Sequence, residues 1–334
     1  MLKPFIKALI VFLSLFSLSF PQNLGLARKV SDKEIDMSKF DLVWSDEFDA
    51  DSLDSEKWGY SWWITERKGG YWHEDMVSVR DGNLVISAEY KSEPLENRYY
   101  DEFHETVDFK PYKKGWYSGK VTTLGKYEQK YGYMEARCIL PASSGMWSAF
   151  WLMNDGVFNI DSSGKDGTEI DVFESMSYDT HRFGLDKVAV NLHFDGYEKD
   201  HRTEHVGSFF IENNPYKEYN TYGVEWNENE YIFYINGKEA ARTSFGGVSQ
   251  NPEYLLLSLE IAGNDGVSFE DPKGKGKMKY SEKGPIEFKV DYVRCYQYKD
   301  LIGREFFSSE HIFFRECFQY SNKVSSDFGH LLRG

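Results

Sequence analysis

Glu169-Ile170-Asp171-Val172-Phe173-Glu174 is the stretch on which the reading of this chain turns. In an extended strand alternate side chains share a face, so Glu169 and Asp171 point one way while Ile170 and Val172 point the other. Strict alternation sends Glu174 into the core and leaves Phe173 in water. Burying an unpaired carboxylate costs several kcal/mol. A β-bulge at Val172–Phe173 removes the conflict: both apolar residues turn inward and Glu174 rejoins Glu169 and Asp171. Three carboxylates then line one face of one strand, and their repulsion drives their pKa values apart. One ionised and one protonated carboxyl is the equipment for splitting an acetal. Taken alone, the six residues fit a merely solvated acidic face better. Their neighbours decide.

Just upstream, in Gly145-Met146-Trp147-Ser148-Ala149-Phe150-Trp151, the two indoles are four residues apart and share a strand face. Flat rings of this kind stack on pyranoses, although core packing is as good a reading of either one alone. Downstream, Val188, Val190, Leu192 and Phe194 alternate with Asn191 and His193. These two polar residues are candidate substrate contacts, and His193 is equally placed to tune a carboxylate. Further out, Leu84–Ala88 follows the turn Asp81-Gly82-Asn83, and Tyr231–Ile235 runs into Asn236-Gly237, a hairpin signal. Glu253–Ile261 and Ile286–Tyr298 add strands, and no long segment has a helical period. The expectation is an all-β sandwich.

The composition agrees. The chain has 334 residues, of which 17% are aromatic, with 9 Trp, 23 Tyr and 25 Phe. Its formal net charge of −15 lacks the basic footprint that nucleic acid or an anionic membrane requires. Lys3 and Lys7, then the apolar run Ala8–Phe20 broken by Pro21, read as a signal peptide over 1–20, too short to span a bilayer. Secretion, to the exterior or a periplasm, is the expectation, with no membrane contact after processing. A patternless linker over 21–40, a catalytic domain over 41–299 and a tail of unassigned role over 300–334 complete the division. Three cysteines are too few for a disulfide scaffold, and Cys138, in the alternating run Met134, Ala136, Cys138, Leu140, reads as a buried thiol.

Glu169–Glu174, as it stands, resembles the Glu-x-Asp-x-x-Glu signature of glycoside hydrolase family 16, in the laminarinase-like branch that carries the bulge. Trp44-Ser45-Asp46-Glu47-Phe48, Ser118-Gly119-Lys120, Lys130–Arg137 and Val290–Tyr296 are similar to other segments of that family, in its order. Trp147–Trp151 is similar to its Trp-Pro-Ala-x-Trp stretch, with Ser148 in place of Pro.

The resemblance implies a β-jelly-roll sandwich of two antiparallel sheets with a concave cleft. It implies an endo-acting, retaining enzyme on 1,3- or mixed 1,3-1,4-linked β-glucan, acting as a monomer on a polysaccharide partner. By position Glu169 matches the nucleophile, Glu174 the general acid/base and Asp171 the auxiliary carboxylate. Trp147 and Trp151 match sugar platforms, and His193 a cleft histidine. No cofactor is implied for catalysis. A structural Ca²⁺ is, and Glu47, the Gly82 carbonyl and Asp291 are the positions to test. Laminarinase-like members often carry a Trp where this chain has Ala262–Gly266; Trp62, Trp63, Tyr71 and Trp72 are the substitute platforms. A galactan of the agar or porphyran type is the alternative substrate, and a non-catalytic glucan-binding lectin the other. His201-Arg202-Thr203-Glu204-His205 fits an inverted zinc-protease pattern, but its flanks read as turn and strand, where the pattern needs a helix.

Overall fold

Asn236 and Gly237 take φ of 51° and 74°, the left-handed pair that a two-residue hairpin requires and that Asn-Gly adopts with little strain. The computed structural model describes residues 27–60, 66–96, 112–176, 178–261 and 285–302. The signal segment 1–20, Trp62, Trp63, Ala262–Gly266 and the tail beyond 302 lie outside them. The strands are β1 (Phe40–Asp46), β2 (Glu66–Arg67), β3 (Gly70–Trp72), β4 (Val77–Arg80), β5 (Asn83–Lys91), β6 (Gly115–Ser118), β7 (Lys120–Thr122), β8 (Glu128–Gln129) and β9 (Gly132–Ile139). There follow β10 (Met146–Met153), β11 (Glu169–Ser175), β12 (Lys187–Phe194), β13 (Arg202–Phe210), β14 (Asn220–Trp226), β15 (Tyr231–Ile235), β16 (Lys238–Thr243), β17 (Glu253–Ile261) and β18 (Ile286–Tyr298). Only short 3₁₀ turns interrupt them among the described residues.

An 11-stranded sheet runs β16-β15-β14-β9-β18-β5-β6-β3-β2, with β1 on β18 and β4 on β5; a 7-stranded sheet runs β13-β12-β11-β10-β17-β7, with β8 on β17. Pairing is antiparallel except between β3 and β6, which run parallel. The core lies between the sheets. Met146, Phe150 and Leu152 of β10, Ile170, Val172 and Phe173 of β11, and Leu255, Leu257 and Leu259 of β17 meet Met134, Ala136 and Cys138 of β9 and Phe288, Val290 and Val293 of β18. Cys138 is a buried free thiol, as is Cys295. Phe173 packs against Tyr222 with centroids 4.3 Å apart and planes tilted by 40°, and burying a ring of that size is worth about 1.5–3 kcal/mol.

Alternation sends the other residues of β7, β10, β11, β12 and β17 to the outer face of the 7-stranded sheet. The described part of the expected linker is not loose. Arg28 N donates to Ser208 O, Ser31 N to Glu239 O and Ile35 N to Gly237 O, so the segment is laid along β13 and the β15–β16 hairpin.

Candidate active site

The bulge is where the sequence demanded it. On one side Phe150 pairs with Phe173 and Trp151 with Asp171; on the other Asp171 pairs with Asn191 and Glu174 with Ala189. Val172 and Phe173 therefore face one residue, Val190, and both are buried at 3% and 0% exposure. Glu174 returns to the outer face beside Glu169 and Asp171.

Each carboxylate has its own partner. Asn191 Nδ2 donates to Glu174 Oε2, and His205 Nδ1 lies 2.8 Å from Asn191 Oδ1. A proton on that nitrogen holds the amide with its NH₂ toward Glu174. Tyr197 donates its hydroxyl to Glu169 Oε2. His193 Nε2 is 3.2 Å from Asp171 Oδ2, and its Nδ1 is 2.9 Å from His201 Nε2. Asn191 and His193, expected to bind substrate, thus have their polar atoms committed to carboxyls and histidines. These contacts place both side chains against the acids of the outer face.

Burial, then the neighbouring Asp171, pushes the Glu174 carboxyl up to about 8, against the Asn191 hydrogen bond that lowers it. Asp171 is driven well above the carboxylate range by burial first and by Glu169 and Glu260 next, with Arg67 opposing. Glu174 consequently holds a proton at neutral pH, the condition for a general acid. Glu169, Asp171 and His193 also bring one ligand atom each within 4.8 Å of one another, the set among the described residues able to hold a cation.

The aromatic candidates divide. Trp147 is half-buried on the outer face, with Lys68 Nζ 4.9 Å from its ring centroid. Trp151 neighbours Asp171, donates Nε1 to Ser258 Oγ at 3.1 Å and packs with Ala149, Met153, Val157, Tyr254 and Leu256 into an apolar floor. Trp72 is no open platform. It is 2% exposed, its Nε1 donates to Leu259 O, and Arg67 and Lys120 lie 5.8 and 5.0 Å from its ring. Tyr71 is buried as well.

The calcium positions do not fit a cation. Arg294 clamps Glu47 through two hydrogen bonds of 3.0 and 2.8 Å, and Arg137 holds Asp291. Guanidinium groups that already neutralise both carboxylates repel a metal, and Gly82 offers only a turn carbonyl. His205 lies in strand β13, not a helix, so the zinc-protease spacing has no metal geometry. Sequence reasoning missed Tyr197, His201 and His205 as partners of the acids. It also missed Glu260, which pairs with Arg67 at 3.0 Å beside this face. What brings His205 to Asn191, and the start of β13 to His193, is the β12–β13 register, which the sequence alone does not fix.

A family model described as the GH16 domain of beta-porphyranases A–D matches residues 41–298. Glucan endo-1,3-beta-glucosidase A1 of Niallia circulans is 27% identical over 286 residues, 77% of this chain and 38% of that protein. The chain thus spans well under half of that relative. Beta-glucanase of Rhodothermus marinus is 26% identical over 292 residues, 82% of this chain and 91% of that one. Porphyranase B of Zobellia galactanivorans has the same fold, with a TM-score of 0.60 at 22% identity over 81% of this chain and 98% of that chain.

Proposed function

The chain belongs to glycoside hydrolase family 16, and from that premise we propose that its β-jelly roll is an endo-acting, retaining hydrolase of β-linked glucan. The bulge that turns Glu174 back beside Glu169 carries the reading. Glu169 attacks the anomeric carbon while Glu174 gives its proton to the departing glycosidic oxygen, leaving a covalent glycosyl-enzyme. Glu174, now ionised, takes a proton from water, and the hydroxide attacks the same carbon and releases Glu169. Inversion twice is retention. Asp171, held protonated between its neighbours, donates a hydrogen bond toward Glu169 as the charge there comes and goes. Trp147, half-buried on this face, gives a sugar ring a surface to stack on, above the floor in which Trp151 packs. The name of the Niallia relative favours a 1,3-linked glucan, and that of the Rhodothermus relative a β-glucan without stating its linkage.

One observation favours the galactan alternative. Exposed Lys68 lies over the half-buried Trp147, a cation that a neutral glucan does not need and a sulfated sugar does, while Arg67 is already paired with Glu260 and Lys120 is buried. The porphyranase description of the matching family model agrees with it. Reducing-end release on laminarin, lichenan, barley glucan, agarose and porphyran decides. Laminarin or lichenan cleavage supports the glucan reading, cleavage of porphyran alone replaces it, and inertness on all five removes hydrolysis. Export behind the segment 1–20 and a monomeric state belong to the same proposal. Culture fractionation and size-exclusion mass test them.

A further inference from the structure

The row of acids does not run out into polar surface. Beyond Glu169, Asp195 and Gly196 take φ of 60° and 69° and reverse the chain, and Gly196 N donates to Val157 O. That bond fastens the reversal to the 3₁₀ turn Asp155–Phe158. The turn itself has no slack, because a Cβ on Gly156 would meet Asp166 O at 2.0 Å. Tyr197 is thereby set edge-on to Phe158, with centroids 5.8 Å apart at 70°. Both rings stay open to solvent, at 43% and 42% exposure, while the Tyr197 hydroxyl reaches in to Glu169. The rings continue inward: Tyr197 leans on His201 at 5.6 Å, and His201 stacks on His193 at 5.0 Å.

Two rings side by side at the end of the carboxylate row present flat apolar surface next to the reacting group. We propose that Phe158 and Tyr197 form a sugar subsite beyond the nucleophile, taking a pyranose ring of the same polysaccharide, and that Tyr197 is a positioning residue that ties occupancy of this subsite to the set of Glu169. The inference rests on the hydrolase reading above. A pyranose fits because its C–H face packs on aromatic rings, and because the subsite continues the carboxylate row without a break. Burial and the Glu169 carboxylate push the Tyr197 phenol far up, so it remains a donor throughout the working range. A sugar pressed on the ring immobilises the same side chain that holds Glu169 in line.

Wild type, Phe158→Ala and Tyr197→Phe are compared on a ladder of oligosaccharides of increasing length, cut from whichever polysaccharide the enzyme hydrolyses, with melting curves to verify folding. Phe158→Ala raises KM about fivefold on long members and markedly less on short ones, and it shifts the position of the bond cut. Tyr197→Phe lowers kcat about tenfold with little change in KM, a split that a merely structural role does not produce. An equal loss from Phe158→Ala at every length, or an intact kcat in Tyr197→Phe, overturns the proposal. An inert wild type sinks the hydrolase reading first, so the two failures are told apart.

Discussion

Replacing Asn191 by Ala removes the hydrogen bond that favours the ionised form of Glu174 and so restrains the rise of its pKa, and the consequence appears as a displaced pH limb. Glu174 titrates at about 8. As the general acid it works only while protonated, so kcat/KM falls as pH rises through that value. The Asn191 amide donates to Oε2 and favours the charged form, so its loss moves the limb upward. A hydrogen bond to a charged group is worth about 1.5–3 kcal/mol, and one pKa unit corresponds to about 1.4 kcal/mol. Water admitted by the shortened side chain returns part of this. The expected displacement is about one pH unit. Initial rates at low substrate over the alkaline range measure it, because kcat/KM reports the free enzyme. A limb that stays near 8, or moves down, refutes the assignment of Glu174 as the acid held by Asn191.

Other expectations follow from the same geometry. Glu174→Gln should lower kcat about 10²- to 10⁴-fold with oligosaccharide affinity nearly intact, as read by calorimetry; unchanged turnover removes the acid/base role. Trp147→Ala should raise KM by about tenfold with kcat kept, and an unaltered KM would show that this indole packs without holding sugar. Glu253, fully buried with its Oε1 accepting from Thr168 N at 3.4 Å, is pushed up to about 8 by burial. Its stabilising contribution is complete below the usual carboxylate range and is lost as pH rises through about 8, on the order of 1 kcal/mol per pH unit. Glu253→Gln should therefore flatten the decline of Tm across that window, and a decline as steep as wild type's would contradict it.

What could be read from the sequence is what local periodicity and burial decide. The bulge followed because Val172, Phe173 and Glu174 cannot all be satisfied by straight alternation, and the Asn236-Gly237 hairpin because those residues accept positive φ. The buried Cys138 followed from its apolar neighbours two apart. Contacts between distant strands were not legible. Trp72 looks like any loop indole until Leu259, 187 residues away, takes its N–H. Glu47 and Asp291 look like calcium ligands until Arg294 and Arg137 are seen to hold them. His201 and His205 fell in a pattern named for a helix, and their true partners lie on the neighbouring strand β12. Tyr197 carries no signal at all, because only the fold of the Asp195-Gly196 reversal brings it to Glu169.

The central claim is that Glu169 and Glu174 act from one bulged face by double displacement. Proton NMR of the first products, taken before mutarotation, tests it directly. The account predicts that the new reducing end appears first as the β-anomer; an initial α-anomer would mean single displacement by water and would contradict a nucleophilic Glu169.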